Sequence, residues 1–297
     1  EVHLQGFVEV VKNEIDMITR GKYLLPILCM GLLGGAVDAQ DFDVKWKSTR
    51  MDGSRTGVVL SAADNVKESM GEIRGKKYYA PNGKVYKCGT VPKVAKIMID
   101  AQKDMVAVKQ VVAYSPEAMT SHRPESALSD WFVDILIRSC GELTGKKVDV
   151  GFANFGGIRV DMPKGDVLLD DIISMFPFKN KLCYLELKGS DIRVILEQMA
   201  REYWQVVGGV RCVSDKNGKL LSAEIGGQPL DDDKVYGVTT VDFLLNGGDG
   251  YSIAKNALDV KVLDVYVIDV VLPYVKKLTA EGKPVEYKAD GRVQILK

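Results

Sequence analysis

Histidine is nearly missing from this sequence: among 297 residues there are two, His3 and His122. A two-metal phosphoesterase centre draws several imidazoles together with Asp and Asn around its ions, so no such centre can be built here in its usual form. A Ser-His-Asp triad needs one placed imidazole. His122 would have to supply it, yet no G-x-S-x-G elbow accompanies it, and its position beside Pro124 reads as a loop. Walker loops, paired zinc cysteines and a dinucleotide fingerprint are also missing. No catalytic residue is expected in this chain. Net charge is lacking too, because Lys+Arg and Asp+Glu each number 40. Without a basic footprint, nucleic acid is not an expected partner.

Long apolar runs are scarce as well. The run from Tyr23 to Leu33 is too short to cross a bilayer, so no stable membrane anchor is expected. Arg20 and Lys22 precede it, and Val37 and Ala39 follow within a small-residue stretch, which is the pattern of a secretory leader cleaved after Ala39. Residues 1–39 are therefore read as upstream sequence plus leader, with Met17 as the natural start. The expected location is periplasmic or secreted. Residues 40–107 form an N-terminal extension and 108–297 the main domain. Cys183 and Cys212 sit in apolar strand-like runs and read as buried free thiols.

What the sequence does have is ample core material, 46% hydrophobic, in alternating strand and helix patterns. Turn signals at Asp52-Gly53, Pro81-Asn82-Gly83 and Cys88-Gly89 predict a few short strands before residue 91. A helix is predicted over 94–108, a strand over 111–114, and a firmer helix capped by Ser126 or Ser129. Strands follow at 148–153, 182–187, 206–213, 220–225, 235–241 and 293–296, with Asn217-Gly218 marking a hairpin. Helices are predicted over 167–175, from Gly189-Ser190 onward, and over 262–278 with a break near Pro273. Because hairpins interrupt the alternation, the fold class is α+β: layered mixed β-sheets flanked by helices, not a doubly wound parallel sheet.

Three stretches share one make-up. In Asn154-Phe155-Gly156-Gly157-Ile158-Arg159 a buried strand ends where two glycines allow close backbone approach while an amide and a guanidinium project nearby. Pro177-Phe178-Lys179-Asn180 and Phe243-Leu244-Leu245-Asn246-Gly247-Gly248-Asp249-Gly250-Tyr251 each place an aromatic and a polar side chain at a turn. Such a set suits a flat heterocycle bearing a sugar. Phe178 and Phe243 offer faces for stacking, at roughly 1 to 3 kcal/mol per contact. Asn180 can donate to and accept from a base edge, Asp249 can accept from ribose hydroxyls, and Arg159 with Asn154 can meet a phosphate.

These stretches, with the helix start Leu187-Lys188-Gly189-Ser190-Asp191 and the segment Val207-Gly208-Gly209-Val210, occur in an order that resembles the C-terminal, substrate-binding domain of the 5'-nucleotidase and UDP-sugar hydrolase family. The resemblance spans roughly residues 108–256. It implies layered sheets flanked by helices, and a nucleobase held between Phe178 and Phe243. It further implies Asn180 on the base edge, Asp249 on the ribose, Asn154 and Arg159 at polar and phosphate-facing positions, and Gly208-Gly209 as backbone along the base. Arg123, in Arg123-Pro124-Glu125, is similar to an arginine that the family places shortly before a helix start.

A family enzyme also carries a metallophosphatase domain with two metals and a catalytic histidine, and residues 40–107 are too short and too poor in histidine to hold it. The expectation is a nucleotide- or nucleoside-recognition domain of a split 5'-nucleotidase. It would have no cofactor of its own, and a metallophosphatase partner chain would bring the divalent metals. The alternative is a non-catalytic periplasmic nucleotide-binding protein.

Overall fold

The computed structural model describes residues 65–296. The expected leader, its cleavage point and the first part of the extension, residues 40–64, lie outside the described residues. A short helix, α1 (Val66–Met70), leads into a three-stranded antiparallel meander of β1 (Glu72–Arg74), β2 (Lys77–Tyr79) and β3 (Val85–Tyr86). Its second turn is the expected Pro81-Asn82-Gly83, with Gly83 at φ +79°. Helix α2 (Thr90–Ala101) follows and stops earlier than the predicted 108; a run of turns and a 3-10 turn at Val106–Val108 take its place.

The core is a five-stranded mixed sheet. Its strands are β5 (Val150–Ala153), β7 (Lys181–Lys188), β8 (Val206–Gly208), β12 (Val235–Val241) and β13 (Asp259–Tyr266), in the spatial order β13-β7-β12-β5-β8. Only β5 and β12 run parallel within it. A second sheet orders β11 (Gln228–Pro229), β10 (Leu220–Ile225), β9 (Val210–Asp215) and β14 (Val293–Leu296), and a two-stranded ribbon pairs β4 (Val111–Ser115) with β6 (Gly165–Leu168). This is the expected α+β architecture, with four further helices: α3 (Ala127–Thr144), α4 (Leu169–Met175), α5 (Gly189–Arg201) and α6 (Val267–Ala280).

Helix α3 is specified locally at both ends. Ser126 and Ser129 form a reciprocal capping box, each backbone N–H donating to the other's hydroxyl at 2.9 and 3.2 Å. Gly145 closes the far end in the left-handed region. The helix lies against the sheet where Gly151 of β5 pairs with Gly208 of β8. A Cβ on either glycine would come within 2.8 Å of Val133, so the missing side chains let α3 seat directly on the strands.

Two predicted elements differ. The expected single strand 206–213 is split at Gly209, whose φ of +71° turns the chain out of the five-stranded sheet and into the second one. The expected helix 262–278 is strand β13 up to Tyr266 and helix only from Val267, and it continues past Pro273. Edge pairing of β13 with β7 claims the first part. In the second, burial of Val267, Val270, Val271 and Val275 offsets the proline's local cost of about 3 kcal/mol.

Candidate functional site

Strand direction gathers the three motifs at one end of the sheet. β5 and β12 are parallel neighbours, so Asn154 after the one and the Asp242–Leu244 turn after the other leave from the same end. β7 runs antiparallel to β12, with Leu182 opposite Val241, so Asn180 enters the sheet at that end too. Three separate stretches thus become one surface.

At its centre Asn154 is 6% exposed and donates from Nδ2 to Asp249 Oδ2 at 2.8 Å. The two glycines of the motif lie over this pair. A Cβ at Gly157 would be 2.9 Å from Asn154 Oδ1, and one at Gly156 would be 3.6 Å from Asp249 Oδ2. Their absence of side chains leaves the amide and carboxylate reachable. Asp249 is the one non-glycine residue at positive φ among the described residues, at +50°. Its left-handed backbone costs about 1 kcal/mol, and a carboxylate that bonds across the site sits on that strained turn.

Phe178 and Phe243 are 45% and 46% exposed, unusual for phenylalanines, and they stand beside this half-buried polar pair. Phe178 and Asn180 line a shallow pocket with Asn154, Gly157, Phe132 and Phe176. The Arg159 guanidinium lies 5.8 Å from the Phe178 ring centre and is otherwise exposed. Phe243 needs Gly248 beside it, since a Cβ there would meet Phe243 Cδ1 at 2.8 Å. Arg123 reaches in from the other side: its guanidinium lies 5.0 Å from the Phe155 ring centre and 5.1 Å from that of Tyr203, and Nε donates to the Trp204 carbonyl at 2.9 Å. Arg123 and Arg159 therefore flank the Asn154–Gly157 turn.

Gly208 and Gly209 are placed elsewhere. Val206, not Gly208, pairs with Ala153 next to the site, while Gly208 faces α3 and a Cβ on Gly209 would lie 2.0 Å from the Asp149 carbonyl. Both glycines serve the helix seat and the change of sheet. The residue that β8 brings to the site is one that sequence reasoning missed. Gln205 is buried, accepts from the Phe155 N–H at 3.0 Å, and has no partner for its own Nε2. The available signal was an amide between Trp204 and Val206, immediately before an apolar strand.

A larger cleft of about 930 Å³ lies on a different part of the domain and includes Gly209, Asp134, Arg138, Lys147 and Arg292. Its cations are largely committed: Arg138 to Glu142 at 2.9 Å, Lys147 to Asp149 at 2.6 Å, and Arg292 to Asp134 at 2.9 and 3.0 Å. Next to Arg292, Glu125, Asp130 and Asp290 bring carboxylate oxygens within 4.8 Å of one another, and of the three only Asp290 lines the cleft. A metal ion does not fit that cluster, because the buried Arg292 guanidinium already stands 3.4 Å from Asp130 and 3.1 Å from Asp290. Burial pushes the Asp130 carboxyl up to about 8 despite Arg292, and Glu125 pushes in the same direction. His122 is exposed, and no second imidazole occurs among the described residues.

One sheet end thus gathers two half-exposed aromatic faces, a buried amide bonded to a half-buried carboxylate, and two arginines. Residues 106–256 match the family described as 5'-nucleotidase, C-terminal domain, and the chain belongs to that family. It is similar to the trifunctional nucleotide phosphoesterase protein YfkN of Bacillus subtilis, 27% identical over 203 residues, which covers 62% of this chain and 14% of that protein. It is also similar to 5'-nucleotidase of Mus musculus, 28% identical over 188 residues, covering 56% of this chain and 32% of the relative. Among solved structures, a 5'-nucleotidase precursor from Thermus thermophilus superposes with a TM-score of 0.61 at 26% identity, over 70% of this chain and 43% of that one. The chain thus spans less than half the length of each. The sulfate thiohydrolase SoxB of Thermus thermophilus shares the fold at a TM-score of 0.51 and 17% identity, over 76% of this chain and 45% of that one, so the fold by itself does not fix the ligand.

Proposed function

We propose that this chain supplies nucleotide or nucleoside recognition to a split 5'-nucleotidase, while the two-metal hydrolytic centre comes from another polypeptide. Phe178 and Phe243 stack on the base, Asn180 reads its edge, and Asp249 accepts from the ribose hydroxyls while Asn154 holds that carboxylate in place. Arg159 and Arg123 meet the phosphate. One observation carries the reading: two phenylalanines left half exposed at the sheet end where the half-buried Asn154–Asp249 pair sits. Membership of the family and the names of the relatives support nucleotides as the ligand class. The leader pattern before Ala39 supports export, to the periplasm or outside the cell. No helix among the described residues is long and apolar enough to cross a membrane.

Calorimetric titration of AMP and of adenosine into the chain, carried to millimolar ligand, tests the recognition role. Saturable binding that is lost in Phe243→Ala is the expected result; a folded chain that binds neither ligand overturns it. The scarcity of histidine also fits the alternative, a binding protein with no enzymatic partner. Phosphate release from AMP separates the two readings. None is expected from the chain alone with Mn²⁺, Co²⁺ or Zn²⁺, and a gain when a metallophosphatase chain is added favours the split enzyme.

A further inference from the structure

Arg123 and Arg159 differ in their company from the other arginines. Among the described residues, Arg74, Arg138, Arg193, Arg201, Arg211 and Arg292 each have a carboxylate oxygen within 3.9 Å, while these two have none. Arg123 is held by uncharged groups instead. Its Nε donates to the Trp204 carbonyl at 2.9 Å, and its guanidinium carbon lies 5.0 Å from the Phe155 ring centre and 5.1 Å from that of Tyr203. Those contacts orient the fork, and among the described residues no acceptor takes up its two terminal nitrogens.

Most of that support comes from the connection between α5 and β8. Trp204 and Gln205 in it are buried, whereas Tyr203 is 46% exposed. The backbone of Tyr203 is anchored without its ring, because its carbonyl accepts from the hydroxyl of the buried Tyr251 at 3.1 Å. A ring left half in solvent is not needed as core. Its hydroxyl donates to the Asp249 carbonyl at 3.4 Å, on the loop whose carboxylate bonds Asn154. We propose that Tyr203 is a positioning residue: with Phe155 it holds the Arg123 guanidinium toward the phosphate of the ligand, from a point tied to the ribose-facing Asp249 loop. This rests on the nucleotide reading above, since Arg123 has a phosphate to meet only if a nucleotide is bound. An arginine already stacked on aromatic rings loses less rotamer freedom on meeting an anion than one free in solvent. Tyr203 thus acts on the phosphate end alone, and its effect should separate AMP from adenosine.

The test is calorimetric titration of AMP and adenosine, to millimolar ligand, into the full chain and into Tyr203→Leu, Tyr203→Phe, Arg123→Ala and the double variant Tyr203→Leu with Arg123→Ala. Tyr203→Leu should weaken AMP on the order of tenfold and leave adenosine unchanged. Tyr203→Phe keeps the ring and should keep the parent's AMP affinity. The double variant should bind AMP no more weakly than Arg123→Ala alone, because Tyr203 works through that arginine. Equal weakening of both ligands by Tyr203→Leu overturns the positioning role and leaves the nucleotide reading standing. So do an unchanged AMP affinity in Tyr203→Leu and losses that add in the double variant. A folded parent chain that binds neither ligand fails differently: it overturns the nucleotide reading and this proposal with it.

Discussion

Asn154 and Asp249 stand 95 residues apart in sequence and share one 2.8 Å hydrogen bond, which ties the turn after β5 to the turn that follows Phe243. Because Asn154 is buried, Asn154→Ala leaves a dry void and frees the Asp249 turn. The expected loss is about 1 to 2 kcal/mol of stability, read by urea unfolding, together with weaker AMP binding by calorimetry. Unchanged values in both would remove this pair from the site's framework.

Phe178→Ala and Phe243→Ala should behave differently from a core truncation. Each ring is half exposed, so stability should fall by less than the roughly 3 to 5 kcal/mol of a buried Phe→Ala change. Nucleotide affinity should fall by about 1 to 3 kcal/mol, or about fivefold to 150-fold. Equal loss in the two measurements would mean that the rings only pack.

Gly208→Ala tests the helix seat. Its new methyl would meet Val133 Cγ1 at 2.8 Å and Ile137 Cδ1 at 2.9 Å, and overpacking of that kind costs typically about 1 to 3 kcal/mol. The thermal midpoint should drop. A Gly208→Ala chain as stable as the parent would show that α3 can lift off the sheet without penalty.

Asp130 gives a pH signature. Its folded carboxyl is raised from 3.8 to about 8, so the folded state binds an extra proton between those values. Its contribution to stability is therefore fully present at about pH 4 and declines as pH rises toward 8. Asp130→Asn removes the titration and should flatten the stability profile over that window, measured by urea unfolding at a series of pH values. A profile equally steep in the variant would assign the slope to another group.

The parts of the fold that could be read from sequence were those fixed by local chemistry. The Ser126 cap, the Asn217-Gly218 hairpin, and strands 220–225 and 235–241 depend on neighbours a few residues away, and all appear as expected. Tertiary context decided the rest. Val262, Leu263 and Val265 fit a helical stripe as well as a strand, and only the open edge of β7 makes them β13. Gly208-Gly209 came from the family resemblance, as backbone along the base, and no local pattern could have told that a Cβ on these glycines would meet Val133 and the Asp149 carbonyl. Gln205 was hidden because one amide just ahead of an apolar strand carries no pattern, and only the pairing of Val206 with Ala153 brings it to the site.

The positive φ of Asp249 has an evolutionary side. A left-handed position admits glycine freely, asparagine and aspartate at about 1 kcal/mol, and resists nearly everything else. The backbone at 249 would therefore tolerate an amide or a bare glycine, and what confines the position to a side chain that accepts is the bond from Asn154.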